Sequence, residues 1–159
     1  MSDDQKQTEP AEPAGHAGPT QPAIRVMMMP KDTNGMGTIF GGIILSYIDL
    51  AGAVEAWRYA TGPVVTAAVR GVEFLAPVFV GDLVSFYTRT LRIGRSSITV
   101  KVNVEVERRG QHLREKVTEA EVVYVQIGRD NRPTPLDPLR IAAAGLPPDI
   151  ASGKATSSP

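Results

Sequence analysis

From Ile98 to Glu107 apolar and polar side chains alternate without a break: Ile98, Val100, Val102, Val104 and Val106 against Thr99, Lys101, Asn103, Glu105 and Glu107. A period of two predicts a strand with one buried and one wet face. Leu83 to Leu91 leads into it through a turn at Gly94-Arg95-Ser96. After Arg108-Arg109-Gly110-Gln111 a returning strand, His112 to Ile127, carries Val117, Val122, Val123 and Val125. Val64 to Val69 and Val72 to Val78 form one long strand or two pieces parted at Gly71, where a bulge is expected, and Gly81-Asp82 turns the chain. Ile24 to Met29 is a further short strand, stopped by Pro30.

The period changes between Ile43 and Ala60. Apolar residues recur at 44, 47, 48, 51 and 54, which predicts a helix with little exposed face, broken by Thr61-Gly62-Pro63. Strand, buried helix, then four strands is the order of an α+β domain: successive hairpins make an antiparallel sheet of about five strands, and the one long helix covers its apolar face. Ten of the thirteen prolines lie outside this region. The expected organisation is a disordered tail over 1–22, a folded body over 23–130, and a Pro-rich, mostly disordered tail over 131–159, in which Leu136 to Leu146 could dock or form a short helix.

Of the two carboxylates in this helix, Asp49 and Glu55, Asp49 lies away from its solvated stripe. At about 100° per residue, Arg58 lies roughly opposite it, and Glu55 is about 120° away in the other sense. Its neighbours one turn either way are Leu45, Ser46, Gly52 and Ala53, mostly small, which leaves space above the carboxylate for another backbone or a ligand. Burying an unpaired Asp costs several kcal/mol, so two readings stand: a structural hydrogen bond to a neighbouring loop or subunit, or a working carboxylate. Gly41 and Gly42, just before the predicted helix, also read two ways. They let a ligand approach helix amides that have no intrahelical partner, donors suited to a carbonyl oxygen that turns negative in acyl transfer, or they permit a tight turn. Asn34 in the preceding loop could hold a water, reach a neighbouring subunit, or make an ordinary Asx-turn. Arg89, Arg92 and Arg95 are either a solvated strand face or a site for phosphates.

Composition removes the rivals. Lys plus Arg and Asp plus Glu are 17 each, so no field favours nucleic acid or an anionic membrane surface. The absence of cysteine excludes disulfides, thiolate metal sites and cysteine nucleophiles together. Gly35-x-Gly37-x-x-Phe40 fails as a dinucleotide fingerprint, because position 40 is not glycine and no parallel crossover follows. There is no phosphate loop and no Gly-x-Ser-x-Gly elbow. His16 falls in the N-terminal tail and His112 near a hairpin, so neither a histidine base nor a metal site is expected. With no secretory pattern at the N-terminus and no apolar run near the ~18 residues of a membrane span, a cytoplasmic protein is expected.

Met29-Pro-x-Asp32-x-Asn34-x-x-Gly37-x-x-Phe40-Gly41-Gly42, then Asp49, Val65-Thr66, Phe74-Leu-x-Pro77-Val78, Val80-Gly81-Asp82 and Lys116-Val-Thr118-Glu119-Ala120 form an ordered set of motifs. In these the chain resembles the hotdog-fold acyl-CoA thioesterases of the YciA type, over roughly residues 25 to 132. The resemblance implies a long central helix wrapped by an antiparallel sheet, and homodimers that assemble into a trimer of dimers. It also implies active sites shared between subunits and a place in fatty acid metabolism. By the same resemblance Asp49 activates water or attacks the thioester, and Asn34 shares a site with the Asp of the partner subunit. The helix amide around Gly42 polarises the thioester carbonyl, with Phe40 and Gly41 beside it against substrate, and the turn Gly94, Arg95, Ser96 and Ser97 helps hold CoA. CoA belongs to the substrate; no further cofactor is implied, because a thioester is already a reactive electrophile. Thr38, Arg70 and Ala76 depart from the family pattern, which bears on nucleotide contacts and chain length. A non-catalytic acyl-CoA or nucleotide sensor using the same pocket is the alternative function; a hotdog dehydratase would need a histidine near the helix.

Overall fold

The computed structural model describes residues 21–111 and 114–146. Along them run β1 (Ile24–Met27), a single 3-10 turn (Pro30–Asp32), α1 (Gly41–Ala56), β2 (Val64–Phe74), β3 (Leu83–Ile93), β4 (Ser97–Glu107), β5 (Arg114–Gln126) and α2 (Pro138–Ala143). The strands form one sheet in the order β1-β3-β4-β5-β2, antiparallel throughout. The alternation in β4 is realised: Val100, Val102, Val104 and Val106 are buried, and their polar neighbours are half-buried on the other face. α1 lies against the buried face, contributing Ile44, Ile48, Ala51 and Ala56 to the same core as Phe86, Ile98 and Val122.

Three expectations need correction. Hairpins join β3 to β4 and β4 to β5, but β2 and β3 are not neighbours. β2 crosses to the far edge and pairs with β5, a long-range pairing that no local pattern encodes. β2 is one strand ending at Phe74 rather than Val78, with register shifts at Thr66/Ala68 and Arg70/Glu73. Gly71 sits inside the second shift with φ +57, where a glycine can supply the left-handed residue a bulge needs.

The third correction concerns α1, which stops at Ala56, short of the expected Ala60. The chain tightens there into shorter bonds, Arg58 N–H to the Glu55 carbonyl and Tyr59 N–H to that of Ala56. Nor does the helix have little exposed face: Leu45, Leu50, Val54 and Trp57 are exposed, at spacings that put the last three on one side. Most of the helix surface is apolar, yet part of that apolar surface is left uncovered by this chain's sheet. β2 continues that exposure with Val65, Val69 and Phe74.

Residues 136–146, beyond position 130, pack back on the body. Leu136 is buried, its N–H donates to the Arg95 carbonyl, and Ile141, Ala144 and Leu146 pack against the core. Gln126 holds this segment to the end of the helix. Its side-chain oxygen accepts from the amides of Thr61 and Gly62, and its nitrogen donates to Thr134 Oγ1 and to the Pro135 carbonyl. The tail expected over 1–22 falls mostly on residues outside the described ones, as do His16, His112 and the chain after Leu146.

Candidate active site

Asp49 projects from the middle of α1 towards the β2–β5 pair. Thr66 on β2 donates its hydroxyl to Asp49 Oδ1 at 2.5 Å. The hydroxyl of Tyr124, opposite Thr66 in the register of β5, lies 2.6 Å from the Asp49 backbone carbonyl and 3.4 Å from the same Oδ1. Thr66 therefore commits Oδ1, with the Tyr124 hydroxyl close by, and Oδ2 accepts no hydrogen bond from the described residues. The carboxylate is half-buried and Thr66 is exposed, so the site opens at the free edge of the sheet.

The space that small neighbours were expected to leave for a ligand above Asp49 is filled by Tyr124. A Cβ at Gly52 would lie 2.3 Å from the phenol oxygen. Burial first, and then the neighbouring Asp49 charge, push the Tyr124 hydroxyl above the ordinary tyrosine range, so it stays a proton donor. Neither Thr66 nor Tyr124 stood out as a site residue in the sequence. A tyrosine in a core strand does carry a hint, since its buried hydroxyl needs a partner.

Glu55 is also buried, away from Asp49. Thr90 Oγ1 (2.8 Å), Tyr59 (3.2 Å) and Arg58 (3.2 Å) all donate to its carboxylate, which ties the last turn of α1 to β3.

At the other end of the helix, Phe40 precedes the first turn without a side-chain cap. The amides of Gly41 and Gly42 have no acceptor among the described residues. Neither glycine has a left-handed φ; what crowds them is aromatic. A Cβ at Gly42 would meet the Phe40 ring at 2.4 Å, and one at Gly41 the Phe74 ring at 3.3 Å. Beside them opens a cavity of about 370 Å³ whose lining includes Thr38, Ile39, Gly41, Ile44, Phe74 and Ala76. Seven residues at 1.5 Å rise place Asp49 ~10 Å along the helix axis from Gly42.

Asn34 is engaged in its own loop. Its Oδ1 accepts from the amides of Met36 and Thr38, and its Nδ2 donates to Thr38 Oγ1. Within one chain it does not bond Asp49. The turn Gly94 to Ser97 joins β3 and β4, closed by Gly94 N–H to the Ser97 carbonyl, and Ser97 follows directly into the β4 residue that pairs with Tyr124. Arg89, Arg92 and Arg95 are exposed. Among the described residues no group of His, Cys, Asp or Glu could hold a metal ion, and no helix is long and apolar enough to cross a membrane.

One antiparallel sheet curled on a central helix, with a carboxylate held at mid-helix and bare amides at its start, is the architecture of a hotdog-fold protein. The profile of the thioesterase superfamily matches residues 36–112. Acyl-CoA thioester hydrolase YciA of Salmonella typhimurium is 42% identical over 116 residues, covering 71% of this chain and 87% of that protein. Among solved structures, the hexameric hotdog fold thioesterase Cj0915 of Campylobacter jejuni has a TM-score of 0.74 at 39% identity, covering 79% of this chain and 97% of that one. The hexameric thioesterase y2039 of Yersinia pestis has a TM-score of 0.70 at 41% identity, covering 75% and 98%. The chain belongs to the thioesterase superfamily, among the hotdog-fold acyl-CoA thioester hydrolases of the YciA type.

Proposed function

We propose that this protein hydrolyses acyl-CoA thioesters to a free acid and CoA, with Asp49 as the group that acts on water or on the thioester. The observation that carries the reading is a carboxylate anchored through one oxygen and undonated at the other, on a helix whose first amides are also unused. As a base, Asp49 takes a proton from water as its oxygen bonds the acyl carbon. The carbonyl oxygen becomes an oxyanion that a helix amide stabilises. The intermediate collapses with loss of the CoA sulfur, which takes the proton back. As a nucleophile, Asp49 would instead bond the acyl carbon and expel CoA as its thiolate, and water would open the resulting anhydride to free acid and Asp49, its proton going to the thiolate.

A carbonyl within reach of Asp49 lies too far from the Gly42 amide of the same chain, given the ~10 Å between them along the axis. The amide and the loop asparagine that complete the site are therefore assigned to the partner subunit, in a homodimer that assembles further into a trimer of dimers. The exposed Leu50, Val54 and Trp57 of α1 and the open edge of β2 are the surface such a partner would cover. Leu50→Glu leaves a half-exposed position soluble in the single subunit, yet places an unpaired charge in the dimer. The expected result by sedimentation is a folded but smaller species with little activity.

The function is tested by thiol release over a panel of acyl-CoAs, with free acid measured alongside. Equal amounts of acid and thiol are expected. Tight CoA binding with no thiol release at any chain length would overturn hydrolysis in favour of a sensor.

A further inference from the structure

We propose that Tyr124 is a positioning residue for Asp49: it holds the Asp49 backbone carbonyl while Thr66 commits Oδ1, which leaves Oδ2 as the oxygen that works on the substrate. The inference rests on reading Asp49 as the catalytic carboxylate, and it adds how that carboxylate is aimed. Tyr124 is 1% exposed, fixed in β5 between Ile98 of β4 and Thr66 of β2. Its hydroxyl enters the helix at the step from Asp49 to Ala53. There the Asp49 carbonyl lies 2.6 Å away, and the Ala53 amide faces the phenol oxygen. The phenol has one proton to donate. The carbonyl takes it at the shorter distance, and Oδ1, at 3.4 Å, lies at the limit of reach. The ring thus pins the backbone of Asp49, while Thr66 holds the side chain from the other strand.

Gly52 is part of the same device. Any Cβ there would lie 2.9 Å from two ring carbons as well as 2.3 Å from the oxygen, so the tyrosine can reach Asp49 only past a glycine. Burial, and then the Asp49 charge, hold the hydroxyl protonated beyond the ordinary tyrosine range, so it remains a donor. The consequence is a division of labour between the two oxygens. One is spent on orientation, and the other keeps its lone pairs for chemistry.

Tyr124→Phe removes the hydroxyl and keeps the ring in the core. The expected result is a kcat about tenfold lower, a KM within about twofold of the parent, and an unchanged assembly state. In an Asp49→Asn background the same change should cause no further loss, because the group it positions has gone. A purely structural tyrosine would lower both backgrounds by the same factor, and that outcome overturns the proposal, as does an unchanged kcat. Gly52→Ala, which pushes the hydroxyl off Asp49 without altering it, provides the second variant, with the same kcat-against-KM pattern expected and an unchanged kcat counting against it. An active Asp49→Ala protein would overturn the catalytic reading and this one together. An inactive Asp49→Ala with a fully active Tyr124→Phe would overturn this one alone.

Discussion

Asp49→Ala should fold, assemble and bind acyl-CoA while losing turnover by about 10² to 10⁴, the range a positioned general base contributes. Thr66 is exposed at the β2 edge, so its hydroxyl turns to water when the carboxylate goes. Tyr124 keeps its bond to the backbone carbonyl of residue 49, which no side-chain change removes. No charged group is stranded, because neither donor to Asp49 is a cation. Stability should therefore move by less than the few kcal/mol that breaking a buried ion pair would cost. Asp49→Asn is the closer control: its amide oxygen can accept from Thr66, and only the charge is lost. Steady-state thiol release should show kcat falling with KM within a few-fold for both variants, since an interaction made only in the transition state lowers kcat and kcat/KM alike. Full activity in a folded Asp49→Ala protein would remove Asp49 from the mechanism.

The sequence makes some parts of this fold legible and hides others for definite reasons. The unbroken alternation from Ile98 to Glu107 can be satisfied only by a strand with one face in a core, and β4 sits at the centre of the sheet. The helix was readable from its spacing, but not which of its sides this chain leaves bare, because an apolar surface looks the same whether the covering sheet is its own or a neighbour's. Leu50, Val54 and Trp57 are the residues for which that matters. Asp49 is legible because a charge in an apolar run needs an explanation. Tyr124 is not, because Ala120, Val122 and Gln126 share its inward register and it reads as one more core residue. Its pairing with Gly52 joins positions far apart in sequence, and a one-residue clue on each side is too weak to link them. Asn34 shows the opposite problem. The ordinary Asx arrangement of its loop is fully formed, so a role in a neighbouring site has to be compatible with that geometry rather than replace it.

Mixing two inactive proteins should regenerate activity if each site draws Asp49 from one subunit and Asn34 from the other. Asn34→Ala removes the side chain that accepts from the Met36 and Thr38 amides, so it should cost activity through the loop even before any direct role is counted. When Asp49→Ala and Asn34→Ala subunits are exchanged under mild denaturant and reassembled in equal amounts, half of the dimers are mixed. In a mixed dimer one site carries both lesions and the other carries neither. About a quarter of all sites are then intact, as the two-fold symmetry of an isologous dimer requires. Activity should rise from the residual level of either parent to about a quarter of the unmodified protein. Sites contained within single chains predict no recovery, because every chain carries one lesion. The ~10 Å between Asp49 and the Gly42 amide along one helix is what makes recovery the expected outcome, since a carbonyl held by that amide lies beyond the reach of the same chain's carboxylate. Gly42 itself is a poor position for this test. A side chain there would meet the Phe40 ring at 2.4 Å, so displacement of that ring would confound any loss of activity. Asn34 serves better, because any defect of its loop stays with the chain that carries it, and absence of recovery in a mixture shown to contain mixed dimers would place the whole site within one subunit.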